Sequence, residues 1–469
     1  MLEIAPLRAI RYAESQPERL SALIAPPYDV ISPSQRERLA ARDPHNVVQL
    51  ILPQERAGDG ATDNKYVRAG KAYHQWISEG LLRADPEPAV YALHQRFEWG
   101  GKPMLRKGFL ARLRLREFSE GVVLPHERTL SGPKADRLEI VKQARANLSP
   151  IFSLYSEEDG SAGRRAEAAG PKHPIDDRTE IDALFAPAID RAPDARAESD
   201  DGHGAIQHQL WRLTDPKLIA ALRAAMAPRR AYIADGHHRY ETALNYARWV
   251  DAEHGKPRPQ GAHHYVLSYF CGMADPGLLI LPTHRLLHDL KTFDLDRFLL
   301  LSDEFFNVER LPADALSAAG LSAALRRLAE SGRDRHSFLL VGDRGKQAIV
   351  LRLKSTANLL EVPELPKQSD VRALDVTVLH GLLLQHVLGL SPASQERQEN
   401  LRYVKDAPEA VAAVASGSAQ AAFLVNPTLM GQVRSVAEAG EVMPQKSTFF
   451  YPKLPSGLVF NPLDPDEKV

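Results

Sequence analysis

The chain has a single cysteine, Cys271, in 469 residues. One thiol excludes an internal disulfide and a cysteine-based zinc cluster, and it suits a reducing compartment such as the cytoplasm. No apolar run approaches the roughly 20 residues that cross a bilayer, so no membrane role is expected. The opening Met1-Leu2-Glu3-Ile4-Ala5-Pro6 lacks the basic region and apolar core of a secretory signal. Neither sign of charge is in excess, with 59 Lys+Arg against 60 Asp+Glu. That balance argues against nucleic acid as the chief partner. Internal repeats, heptad series and a long separating linker are also missing. Gly58-Asp59-Gly60 lacks the rest of a dinucleotide fingerprint and reads as a loop.

What is present is an ordinary soluble composition, 44% hydrophobic and 25% charged. The length exceeds what one core usually serves, so three regions are expected: 1–155, 156–290 and 291–469. Strands and helices are mixed. Ser32 caps a helix with Pro33 at its first position, and a helical spacing of apolar residues runs from Tyr66 to Gly80. Ala89–Leu93 and Leu105–Arg114 read as strands, as do Gln207–Leu213, Ser337–Val341, Ala348–Leu351 and Ala421–Val425. Pro216–Met226, Leu321–Ser331 and Val376–Leu388 read as helices. The stretch 157–204, poor in large apolar residues, reads largely as exposed loop or insertion. The fold class expected is α+β, a mixed α/β architecture.

Chemistry concentrates in a few segments. Tyr232–Asp235 reads as a strand end, and Gly236-His237-His238-Arg239 as a sharp turn opening a helix. A glycine there permits close backbone approach to a ligand. A helix N-terminus suits phosphate, and Arg239 can fork onto two oxygens. Asp235 or either histidine can handle a proton, and Asp235 can hold Mg²⁺. The plainer reading is a helix capped by Asp235 with exposed histidines. His126-Glu127-Arg128-Thr129, Lys134, Asp136 and Arg137 follow an apolar strand; Glu127 is a candidate base, and Lys134 and Arg137 can neutralise phosphate. Lys446-Ser447-Thr448 offers an ammonium and hydroxyls to an anion, and Thr283-His284-Arg285 ends another apolar run. Adjacent pairs such as His263-His264 point apart on a strand, which makes them weak metal ligands. Cys271 reads as a buried small apolar residue.

These residues resemble the bacterial and archaeal family known as domain of unknown function 1015. The match runs in order through Pro26-Pro27-Tyr28-Asp29-Val30, Asn46, Pro125-His126-Glu127, Asp136-Arg137, Ala234–Tyr240, Pro282-Thr283-His284-Arg285, Leu374-Asp375-Val376, Asn426-Pro427 and Met443–Thr448. The Asp235–Arg239 turn is also similar to the signature turn of the ParB/sulfiredoxin-like superfamily, where Gly-x-x-Arg at a helix N-terminus holds nucleotide phosphates. Free-serine kinases of that superfamily carry a similar turn, with a carboxylate acting on the serine hydroxyl. The resemblance implies a ParB/sulfiredoxin-like core with large additional α/β segments. It implies that Gly236, His237, His238 and Arg239 hold phosphate, with Glu127 taken as the base. The sulfiredoxin cysteine has no counterpart, so sulfinic-acid reduction is not expected.

The resulting expectation is a cytoplasmic enzyme of phosphoryl transfer or phosphate-ester chemistry on a small metabolite, with L-serine or phosphoserine leading. A nucleotide would donate over the turn, and Arg239, Lys134 and Lys446 would stabilise the phosphoryl group. Glu127 or Asp235 would take the proton and Mg²⁺ would bridge acid and phosphates. Tyr28, Asp29, His126, Asp136, Arg137, His284, Arg285, Ser447 and Thr448 complete the expected ligand-binding set. The alternatives are a phosphoserine phosphatase and a non-catalytic ParB-like nucleotide-binding regulator.

Overall fold

A computed structural model of the chain describes residues 1–14, 16–127, 131–156, 180–255 and 257–469. Arg128, Thr129 and the first part of the 157–204 stretch lie outside these residues. The chain forms two compact units. One comprises Met1–Pro125, Thr129–Leu279 and Pro452–Val469; the other comprises His126–Arg128 and Ile280–Tyr451.

The first unit is built on a ten-stranded sheet. Its strands are Ile4–Ala5 (β1), Val90–Trp99 (β2), Lys102–Arg106 (β3), Phe109–Arg114 (β4), Val123–Leu124 (β5), Ile151–Tyr155 (β6), Ala195–Asp200 (β7), Ala205–Leu213 (β8), Ala231–Asp235 (β9) and Tyr265–Gly272 (β10). They lie in the order β7-β8-β2-β4-β10-β6-β9-β5, with β1 on β4 and β3 on β2. β9 is parallel to β5 and β10 to β6, while the other pairs are antiparallel. The sheet is therefore mixed, and with its helices gives the expected α+β class.

The helices of this unit include Pro33–Arg42 (α1), Lys65–Ser78 (α2), Ser131–Ala144 (α3), Glu180–Ile189 (α4), Pro216–Met226 (α5) and His237–Glu253 (α6). Ser32 caps α1 in a full capping box with Gln35, and Pro33 takes the first position. Alternate strand residues, among them Val90, Ala92, Phe109, Ala111, Leu113 and Ile233, share one core with helical residues. The helices contribute Ile181 and Phe185 of α4, Leu222 and Met226 of α5, and Tyr240, Ala243 and Ala247 of α6. One sheet face therefore anchors α6 and fixes where its first turn begins.

Much of 180–204 is not exposed loop: Glu180–Ile189 form α4 and Ala195–Asp200 the edge strand β7, which pairs with β8. Composition misled because two side chains, Ile181 and Phe185, suffice to bury the helix face. The run 105–114 is not one strand but breaks between β3 and β4. A Cβ on Gly108 would lie 2.3 Å from Tyr269 Cζ and 2.4 Å from the Phe270 carbonyl oxygen. The chain passes β10 too closely there to carry a side chain.

The second unit holds a six-stranded sheet of His284–Leu287 (β11), Phe306–Arg310 (β12), Ser337–Gly342 (β13), Gln347–Leu353 (β14), Leu401–Val404 (β15) and Ala421–Val425 (β16). The order is β12-β14-β13-β16-β11-β15, antiparallel throughout. On β13, Phe338 and Leu340 enter one core and Leu339 and Val341 another. Burial on both faces explains why the strand reads as an unbroken apolar run. Residues 376–388 do not wind as a single α-helix. A short α-turn, Asp375–Val378, leads into a π-helix, Leu379–Val387, a winding that recurs at functional sites. Cys271 is fully buried. Among the described residues, no helix is long and apolar enough to cross a membrane.

The packing of α4 generates a direct test. Phe185→Ala is expected to lower stability by about 3–5 kcal/mol, the range for deleting a buried aromatic, measured by denaturant unfolding. A loss under ~0.5 kcal/mol would show that this helix is not part of the core.

Candidate functional site

The strand–turn–helix expected at residues 232–243 is present, its strand starting one residue earlier at Ala231. β9 ends at Asp235, Gly236 adopts φ 92°, ψ 29°, and α6 starts at His237. The first helical bond runs from the Tyr240 amide to the Gly236 carbonyl. Gly236 caps the helix without a side-chain hydrogen bond, so Asp235 is not the cap. The positive end of the helix dipole thus falls at residues 237–239. The left-handed backbone at 236 favours glycine over any side chain, and a Cβ there, 2.9 Å from Arg239 Cζ, would push the guanidinium aside.

Arg239 folds back over that glycine. It donates to Asp235 Oδ2 at 2.5 Å and to the Pro150 carbonyl oxygen. Lys453 Nζ donates to Asp235 Oδ1 at 2.7 Å. Asp235 therefore links two cations, one on each oxygen. Although desolvation alone would raise its pKa, Lys453 and Arg239 together hold it well below the usual carboxylate range. An acid in this state is a fixed anion and a poor base. With both oxygens already facing cations, it is also poorly suited to Mg²⁺, so no step below uses that ion. Lys453 was not among the residues expected from sequence. It lies 218 positions from Asp235, beyond the reach of any local pattern.

Several expected residues surround this turn. His237 is buried and His238 half-buried. Tyr28 lies in a short 3-10 turn with Asp29, which is exposed. The Arg137 guanidinium sits 3.9 Å from the Tyr28 ring centroid. Burial first, then Asp29, pushes the Tyr28 hydroxyl up to about 12, against the opposing pull of Arg137 and Arg239. Arg137 also donates to the Ile51 carbonyl and pairs with Asp136, which accepts from Tyr66 Oη at 2.7 Å. Lys134 pairs with Glu241 of α6 at 2.6 Å. Tyr28, Arg137, Arg239, Ser149, Asn147 and Thr242 line a cavity of about 50 Å³.

The remaining expected residues gather in the second unit. His126 Nε2 lies 2.9 Å from Thr448 Oγ1. Glu127 Oε1 accepts the Lys446 amide at 3.2 Å, with Lys446 held at φ 57° and its side chain exposed. Ser447 Oγ donates to the Pro444 carbonyl at 2.5 Å. Arg285 is fully buried and donates to the Lys446 carbonyl at 3.1 Å and to His380 Nε2 at 3.2 Å. Desolvation lowers the Arg285 pKa to about 10, partly opposed by Tyr403 and Glu127. His380 was not foreseen; its Nδ1 faces Gln395 Oε1 at 2.7 Å. That contact makes Nδ1 the donor and leaves Nε2 to accept from Arg285. Burial, reinforced by Arg285, lowers the His380 pKa to about 3, so it stays neutral. His284 is buried and accepts the Val425 amide at Nδ1, 3.2 Å. Asp375 and Asn426 line a separate cavity of about 630 Å³ in this unit, where Asp375 meets His336 at 2.7 Å.

A model of the family described as a protein of unknown function, DUF1015, matches residues 4–175 and 174–377. None of the curated proteins compared with the chain matches it. Among solved structures, a conserved hypothetical protein from Pyrococcus furiosus is 13% identical, with TM-score 0.33 over 75% of this chain and 94% of its own. A free serine kinase in complex with AMP is 14% identical, with TM-score 0.34 over 77% and 93%. C-terminally truncated SbnI from Staphylococcus aureus is 9% identical, with TM-score 0.33 over 76% and 87%.

Two outcomes follow from the turn. Gly236→Ala is expected to cost about 1–3 kcal/mol in unfolding free energy. The second concerns pH. Asp235 has a folded-state pKa held below its ordinary 3.8. Its ion pairs therefore stabilise fully above that value and weaken as pH falls toward the depressed one. The melting-temperature gap between wild type and Asp235→Asn is expected to stay constant from about pH 5 to 7 and to narrow below about pH 4. A gap that closes near pH 6 would contradict the assignment.

Proposed function

The chain belongs to the DUF1015 family of proteins of unknown function, and from that premise we propose that it is an enzyme of phosphoryl transfer or phosphate-ester chemistry on a small metabolite. L-Serine is the leading substrate and a nucleotide the donor. The observation that carries the reading is the left-handed Gly236 turn, which sets the start of α6 beside Arg239 and Lys453. A helix N-terminus flanked by such cations is suited to a phosphate dianion. The likeness of the Asp235–Arg239 turn to that of free-serine kinases supports serine.

In this reading the phosphate lies on the opening turn of α6 and shares Arg239 and Lys453 with Asp235. Asp235 acts as an ionised anchor that orients both cations, and does not move a proton. Arg137, which lines the same small cavity as Arg239, adds positive charge. His238, in the first helical turn, takes the hydroxyl proton. The contribution of the chain is then chiefly positioning and charge, as phosphoryl transfer requires. The cavity volume favours a second reading. About 50 Å³ is well below the ~300–1,000 Å³ of typical ligand pockets and fits a phosphate better than a nucleoside. That points to hydrolysis of a phosphoserine-like ester.

Phosphorus NMR separates these readings. Protein with Mg²⁺, L-serine and ATP or ADP is expected to form phosphoserine at the nucleotide's expense. Free phosphate from phosphoserine alone would select the phosphatase. Silence in both tubes with nucleotide binding by calorimetry would select the non-catalytic regulator. Arg239→Ala is expected to weaken the surviving activity or affinity about 10–100-fold, the worth of a charge-assisted hydrogen bond. An unchanged Arg239→Ala protein would remove the turn from the site.

A further inference from the structure

The far end of α6 carries a second constellation. Asp251 lies in its last turn, and His263 and His264 lie on a single 3-10 turn, Ala262–His264, that follows it. On this tighter turn adjacent histidines do not point apart as they would on a strand. Both rings face Asp251. His263 Nε2 is 3.1 Å from Asp251 Oδ1, and His264 Nε2 is 3.2 Å from Oδ2. One ligand atom from each of the three residues lies within 4.8 Å of the others. The Arg258 amide donates to Asp251 Oδ1 at 3.0 Å and orients the carboxylate.

We propose that Asp251, His263 and His264 form a binding site for a first-row divalent cation of the zinc type. The donor set of two imidazoles and one carboxylate is that of zinc and related metals. Ligands bound at about 2.1 Å in tetrahedral or octahedral geometry stand about 3.0–3.4 Å apart, and the nitrogen–oxygen separations here fall in that range. The site also sits at the C-terminal end of a 17-residue helix, where the negative pole of the dipole favours a cation. His263 is shielded from solvent while Asp251 and His264 keep 19% side-chain exposure. The ion would thus enter from the solvent side and complete its shell with water.

Asp251 lies fourteen helical steps beyond His237, a span of about 21 Å. The metal therefore does not reach a phosphate held at the start of α6, and this site stands apart from the function proposed above. With one helix end suited to an anion and the other to a cation, both ligands would stabilise the same element.

Zinc titration of EDTA-treated full-length protein by calorimetry tests the proposal. One equivalent is expected to bind, and His264→Gln and Asp251→Asn are each expected to weaken it at least about tenfold, since even indirect ligand partners contribute that much. Arg239→Ala is expected to bind zinc as wild type does. Cobalt absorption provides an independent readout: d–d bands of coordinated Co²⁺ are expected in wild type and lost in whichever of the two ligand variants remains folded. Absence of one-to-one binding by the wild type, or equal zinc affinity in wild type and a folded ligand variant, would overturn the assignment.

Discussion

The bond of Asp235 to two cations is the interaction on which the turn depends. Gly236 alone permits many left-handed conformations. What selects one is the carboxylate before it, which draws Arg239 back across the glycine. Lys453 takes the other oxygen, so neither cation neutralises the acid alone. Removing any member leaves a partly buried charge short of a partner, which costs more than the pair gains over solvent. Tyr28 and Arg137 then pack within the field of this cluster.

The second unit handles a buried cation differently. Arg285 is fully enclosed and meets carbonyl oxygens and a neutral imidazole. Gln395 fixes the tautomer of His380 that allows this. A protonated His380 would set two positive charges side by side, so the arrangement depends on a histidine that does not titrate near neutrality. Asp235 and Arg285 thus show two ways of keeping an ion inside a protein: opposed charge in one unit, oriented dipoles in the other.

How much of this was legible in the sequence depended on range. Ser32 and Pro33 marked a helix start because capping is decided within three residues. The Tyr232–Arg239 turn was legible for the same reason. The helix and edge strand in residues 180–200 were not, since two buried side chains and one neighbouring strand decided them. Lys453 and His380 were invisible because their partners stand 218 and 95 residues away. His263 and His264 were misjudged through a wrong local period: the strand assumption separates rings that a 3-10 turn brings together. The strand residues 337–341 were easy to assign yet silent about orientation, since burial on both faces erases alternation.

The position of Lys453 in the chain has a consequence for biosynthesis. All ten strands of the first sheet have been translated once residue 272 is made, and so has the complete α6. The lysine that balances Asp235 follows 218 residues after it, about 10–40 s later at ribosomal rates of roughly 5–20 residues per second. Through that interval the nascent sheet carries Asp235 with Arg239 as its local counter-ion. Closure of the turn by Lys453 therefore waits until residues 280–451 of the second unit have been made.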